Sequence, residues 1–183
     1  EQNMFGIAAG LAKSGLLPFV STMAAFTAMR GLEQVRTDIC YQNLSVKMIA
    51  THGGVSFGAA GSTHHCTEDI AIMRALPNMT VIVPADGIET AAAVRACVDY
   101  EGPVYIRIGR GFEPTFYENE NYGFKIGKAV TIQDGTDITL ICCGVTVLQC
   151  AEAAKILKES DGQSVRVINM HTIKPLDEEI IIK

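Results

Sequence analysis

The feature that most limits what this chain can fold into is a rhythm of short apolar runs separated by stretches of helical spacing. Leu17–Thr22, Ser45–Ala50, Thr80–Val83 and Pro103–Ile108 are apolar along most of their length and do not alternate with polar residues. A strand buried on one face only would alternate, so these runs predict strands covered on both faces. Between them lie residues 2–13, where Met4, Ile7, Ala8 and Leu11 share one stripe and Gly15 closes it. Residues 24–37, Asp69–Leu76 ahead of Pro77, and the alanine-rich Ile88–Tyr100 also have helical spacing. Such an alternation predicts a parallel sheet with helices on both faces.

Around residues 111–123 the rhythm lapses into GFEPTFYENENYG, rich in turn formers, which predicts a linker. A second alternation follows: strands at Lys125–Ile132 and Ile138–Cys142, a helix at Val145–Glu159, a strand at Val165–Met170 and a helix opening near Asp177. The expected organisation is two α/β units, residues 1–118 and 119–183, the first lacking its opening strand and the second truncated. Glu1 falls inside a helical pattern and Lys183 just after another has begun, so the sequence reads as a piece of a longer polypeptide.

Composition removes several classes of function. Hydrophobic residues make up 48% and charged residues 19% of the chain, a globular balance. The net charge is −5 without a cluster of Lys or Arg, so no nucleic-acid partner is expected. No run approaches the roughly 18 apolar residues of a membrane span. The six cysteines form no CxxC pair and several lie in apolar runs, which suggests reduced thiols and a cytoplasmic home.

The stretch GAAGSTHHCTEDIAIMR, residues 58–74, concentrates the candidate chemistry. His64, His65 and Cys66 are adjacent, so their side chains diverge and make a poor ligand set for one zinc ion. A Cys66–His65 nucleophilic pair meets the same difficulty. Taken alone, the motif fits a turn with one histidine against the core.

In chain order, EQNMFGIAAGLA, PFVSTMAAF, THGGVSFG, GSTHH, EDIAIMRALPNMTVIVPAD and GPVYIRIGR resemble the pyrimidine-binding domain of transketolase. TDITLICCGVTVLQCAEAAKIL and VINMHTIKPLDEE resemble the start of the transketolase C-terminal domain. The resemblance spans essentially the whole chain. It implies the thiamine-diphosphate enzyme fold and transfer of a two-carbon ketol unit between sugar phosphates. Deoxyxylulose-phosphate synthases and the beta subunits of 2-oxo-acid dehydrogenases share parts of the pattern and stand as alternatives. A degenerate assembly partner without activity is the non-enzymatic one.

The resemblance also implies roles. Glu1 matches the glutamate that hydrogen-bonds N1′ of the cofactor's aminopyrimidine, which leads the exocyclic nitrogen to remove the thiazolium proton; an apolar pocket is expected to raise its pKa. Phe26 matches the aromatic that packs on the pyrimidine, and Met23 and Met29 fall where further aromatic residues often stand. His52 and His64 match two histidines facing the sugar, which leaves His65 and Cys66 to begin the following helix. Arg110 matches the arginine that grips the sugar phosphate, and Arg107, three residues earlier near the strand end, could equally be structural. Ala60 stands where transketolases usually have an aspartate that contacts a substrate hydroxyl, so altered sugar selectivity is expected. The GDG motif that holds Mg2+ and the diphosphate is absent from the sequence. A separate diphosphate-binding subunit or domain is therefore the expected partner, in a homodimer or heterotetramer, and no residue of this chain is expected to ligate the metal.

Overall fold

The computed structural model describes residues 1–119 and 121–182. The chain opens with α1 (Gln2–Lys13), whose buried residues Phe5, Ala8 and Ala9 form one helical stripe. Gly15, at φ 88°, turns the chain toward β1 (Phe19–Met23). The helix expected over 24–37 is instead three abutting pieces: π-helical Phe26–Arg30, α2 (Leu32–Gln34) and π-helical Val35–Cys40. Gly31, at the first joint, allows a close approach, because a Cβ there would lie 2.3 Å from the ring of buried Phe5.

After β2 (Lys47–Thr51) come a loop, α3 (Asp69–Ala75), β3 (Thr80–Ile82), α4 (Gly87–Ala96) and β4 (Val104–Arg107). The second half adds β5 (Val130–Gln133), β6 (Ile138–Cys142), α5 (Thr146–Asp161), β7 (Val165–Asn169), β8 (Thr172–Lys174) and α6 (Glu178–Ile182). The strands form a five-stranded sheet in the order β1-β2-β4-β3-β8 and a three-stranded sheet β5-β7-β6. The first four strands of the larger sheet run parallel; β2, β3 and β4 are largely buried, whereas β1, expected to be covered on both faces, is an edge strand that leaves Phe19 and Ser21 exposed. Helices and strands pack around Met48, Met73, Met79, Val81 and Tyr105, all but inaccessible.

Several boundaries and pairings differ from the sequence expectation. Strand β5 begins at Val130 and not at Lys125, because Lys128 N–H closes a turn onto the Lys125 carbonyl at 3.0 Å. Strand β8 belongs to the second half in sequence but pairs antiparallel with β3 of the first. The expected linker is packed as well. Tyr117 and Tyr122 stack with ring centroids 3.8 Å apart, and the Asp86 carboxylate accepts the backbone N–H groups of Phe116 and Tyr117 at 2.8 Å each.

A polar network joins the halves. Asp86 caps α4 by accepting the Glu89 N–H at 2.8 Å. The fully buried Glu89 carboxylate accepts from the Ala85 N–H, the Tyr122 hydroxyl, and Asn169 of β7 at 2.6, 3.1 and 2.9 Å. Burial raises the Glu89 pKa even against those bonds. Among the described residues no helix is long and apolar enough to cross a membrane, and all six cysteines are free thiols.

Candidate active site

The parallel register brings three strand ends side by side: Met23 of β1 pairs with Thr51 of β2, and Ala50 with Arg107 of β4. The segments leaving those carboxyl ends carry Phe26, His52 and Arg110. Crevices at this edge of a parallel sheet are where α/β proteins bind ligands. Glu1 reaches the same edge, since its carboxylate accepts from the Thr22 hydroxyl at 3.2 Å.

A chain of ring contacts links these residues. The Phe26 and His64 rings meet edge-on with centroids 5.5 Å apart. Phe57 lies 5.8 Å from His64 and 4.6 Å from His52, with the Arg110 guanidinium 4.9 Å from its ring centre. Glu1, Phe26, His52, His64 and Arg110 are thus gathered at one edge, with Met23 at the end of β1. Met29 is 47% exposed and does not join the ring cluster.

Both candidate histidines share a local device. The Nδ1 of His52 lies 2.8 Å from the Thr51 hydroxyl, and that of His64 lies 2.9 Å from the Thr63 hydroxyl. A hydroxyl bond on Nδ1 orients each ring and leaves Nε2 as the nitrogen to offer a substrate. His52 also has φ 59°, a left-handed backbone unusual for a residue with a side chain and found at functional sites.

Two expectations are corrected here. His65 and Cys66 do not begin a helix: α3 starts at Asp69, and Cys66 exchanges two backbone bonds with Gly54, at 2.7 and 2.9 Å. Those bonds close the loop on itself and bury the Cys66 thiol, whose pKa burial pushes up to about 11. The second concerns Glu1, whose carboxyl lies below its ordinary pKa and not above it. Burial pulls it upward, whereas the hydrogen bonds from Arg30 and the Thr22 hydroxyl and the charge of Arg30 pull it down. Arg30 Nη1 approaches Glu1 Oε2 at 3.2 Å while its guanidinium lies 4.5 Å from the Phe26 ring centre.

Arg30 and Phe57 were not anticipated as site residues. Arg30 follows Phe26 by four positions, the spacing that stacks side chains on one helical face. Phe57 had only its place in a glycine-rich loop to mark it. Arg107 is held by an ion pair, its Nε donating to buried Asp69 at 3.1 Å. Next to it, Arg110 lines a cavity of about 500 Å³ with Gly53, Ser56, Val83 and Gly144, between the two halves. Among the described residues no group of three or more His, Cys, Asp or Glu side chains is placed to hold a metal ion.

The family profile described as "Transketolase, pyrimidine binding domain" matches residues 1–113, and "Transketolase, C-terminal domain" matches residues 127–183. The chain is 45% identical over its whole length to an apulose-4-phosphate transketolase subunit of Phocaeicola vulgatus, and spans 58% of that protein. It is 46% identical to a "Putative transketolase C-terminal section" of Methanocaldococcus jannaschii, again spanning 58% of the relative. Human transketolase is 36% identical across the chain, which spans 29% of it. Among solved structures, one described as "Split gene transketolase, inactive beta4 tetramer" superposes with a TM-score of 0.90 at 42% identity, over 99% of this chain and 58% of that one.

Proposed function

The chain belongs to the transketolase family, and on that footing we propose that it is the pyrimidine-side part of an enzyme transferring two-carbon ketol units between sugar phosphates. The observation that carries this reading is the gathering of Glu1, Phe26, His52, His64 and Arg110 at the carboxyl edge of β1, β2 and β4. The chain covers little more than half of the split-transketolase subunits it resembles, so activity, substrates and partner are part of the proposal.

The residues present fit one wall of a thiamine diphosphate site. Phe26 is a part-buried ring for a flat heterocycle, Met23 ends β1 three residues before it, and the Glu1 side chain is 19% exposed and already hydrogen-bonded. Bound there, the cofactor would supply the carbon nucleophile that accepts the ketol unit. A heterocycle over Phe26 would displace Arg30 from that ring and from Glu1. Losing the guanidinium removes the Arg30 hydrogen bond and charge from the set that lowers the Glu1 carboxyl, which favours its holding a proton toward the pyrimidine N1′ atom. His52 and His64, tethered through Nδ1, would exchange protons with sugar oxygens through Nε2. Arg110 would take the sugar phosphate by paired hydrogen bonds. The diphosphate and Mg2+ fall to a diphosphate-binding subunit or domain.

The test combines the full-length protein with such a partner, thiamine diphosphate and Mg2+, and measures cleavage of phosphorylated ketoses. Glu1→Gln should lower turnover at least about a hundredfold while cofactor affinity changes little, because an amide keeps the hydrogen bond but carries no transferable proton. Wild-type turnover by that variant would remove Glu1 from the mechanism. Consumption of pyruvate, with ketose phosphates left untouched, would replace ketol transfer by the deoxyxylulose-phosphate synthase reading.

A further inference from the structure

We propose that Arg107 is a positioning residue that latches the loop between His52 and Cys66 and thereby sets where His52 and His64 stand. The inference rests on the ketol-transfer reading for its functional consequence, while the latch itself rests on geometry alone. Arg107 ends β4, and its side chain is only 21% exposed. Its Nε donates to Asp69 Oδ2 at 3.1 Å, and Asp69 is fully buried at the start of α3. The Tyr105 hydroxyl donates to the same oxygen at 2.8 Å. The other oxygen, Asp69 Oδ1, has no hydrogen-bond partner among the described residues, so the Oδ2 contacts alone compensate a buried charge.

From this anchor the guanidinium reaches both ends of the loop. At the far end Nη2 approaches the Cys66 carbonyl at 3.5 Å. At the near end it lies flat against backbone that only glycine permits: a Cβ on Gly53 would be 2.3 Å from Nε, and one on Gly54 2.9 Å from Nη2. The two ends are then tied together by the Gly54–Cys66 backbone pair and to the segment leaving β4 by His52 N–H on the Gly109 carbonyl at 3.0 Å. Everything between, including Phe57 and His64, is carried on that closed base. His52, at φ 59°, takes its strained backbone at the same base.

A group that acts through two others should affect the rate more than binding. In the full-length protein with its diphosphate-binding partner, Gly53→Ala pushes the guanidinium off the loop without changing any charge. Arg107→Met combined with Asp69→Asn removes the latch without leaving a buried charge unpaired. Both should lower kcat about 10- to 100-fold, the cost of misplacing catalytic groups. KM for the phosphorylated donor should stay within about threefold, because Arg110 is untouched. Amide hydrogen exchange across residues 53–66 should accelerate about tenfold or more relative to β2 and β4. Arg107→Lys, which keeps the charge but loses the flat second arm, should fall between. Wild-type kcat together with wild-type loop exchange in Gly53→Ala overturns the proposal. A fall in thermal stability with kcat per folded enzyme unchanged overturns it too, since that marks a purely structural role. If the wild-type complex transfers no ketol units, the functional reading fails and the exchange data still decide the latch.

Discussion

Asp86→Ala is expected to be among the most destabilising single changes available at the junction of the two halves. The residue is 5% exposed and uses both carboxylate oxygens: one accepts the Glu89 N–H that opens α4, the other accepts the N–H groups of Phe116 and Tyr117. Loss of a helix N-cap costs about 1 kcal/mol. A buried N–H left without an acceptor costs roughly 1–3 kcal/mol. Tyr117 is buried and Phe116 only partly so, which puts one amide in the middle of that range and the other at its low end. The sum is about 4 kcal/mol, or roughly 8–16 °C in Tm for a chain of this size. Urea unfolding would be followed by far-ultraviolet circular dichroism and by tyrosine fluorescence. The sequence contains no tryptophan, so the stacked Tyr117 and Tyr122 contribute directly to that emission. The tyrosine signal should lose its native value at lower urea in the variant, with the midpoint shift equivalent to about 4 kcal/mol. A shift below about 1 kcal/mol would mean that water replaces the carboxylate at little cost, and would refute the reasoning.

Two further outcomes are expected. Burial lowers the His171 imidazole from 6.5 to about 4 although a hydrogen bond involving Lys128 pulls it upward, so it stays neutral in the fold while the unfolded chain takes up a proton. Its contribution is complete above pH 6.5 and is lost as pH falls toward 4, at ~1.4 kcal/mol per pKa unit and so up to about 3 kcal/mol. His171→Phe, which can keep the stack on Phe124, should flatten the Tm profile over that interval, and parallel profiles would refute it. His64→Ala should reduce ketol transfer by about a hundredfold, whereas Cys66→Ala, at a buried thiol outside the ring cluster, should leave kcat near wild type. Stoichiometric zinc that disappears on Cys66→Ala would restore the metal reading of the HHC motif.

The strands were legible in the sequence because two-faced burial writes itself as continuous apolar runs, and Val81, Ile82, Val104 and Ile106 are inaccessible as that pattern implies. The π-helical pieces were not, since Phe26–Arg30 and Val35–Cys40 keep apolar spacings close enough to 3.6 to read as one helix. Strand β8 escaped because Thr172–Lys174 is too short to carry a pattern and is held by pairing with β3, far earlier in the chain. At the candidate site, the histidines and Arg110 were marked by motif. The carboxyl pKa of Glu1 was misjudged because its environment is made by Arg30, distant in sequence and brought close only by folding. The Asp69–Arg107 pair joins a helix start to a strand end, and no local spacing announces such a partnership.

The position of β8 changes what counts as a unit of inheritance in this chain. By sequence the natural place to divide it is the turn-rich stretch before β5. A cut there would take Thr172–Lys174 away from β3 and bare a hydrophobic strand edge whose Val81 and Ile82 are otherwise sealed from water. Unpaired edges of that kind recruit other strands, including those of identical chains. A gene rearrangement that separated the two halves would therefore create an aggregation-prone surface in the first and an orphan strand in the second.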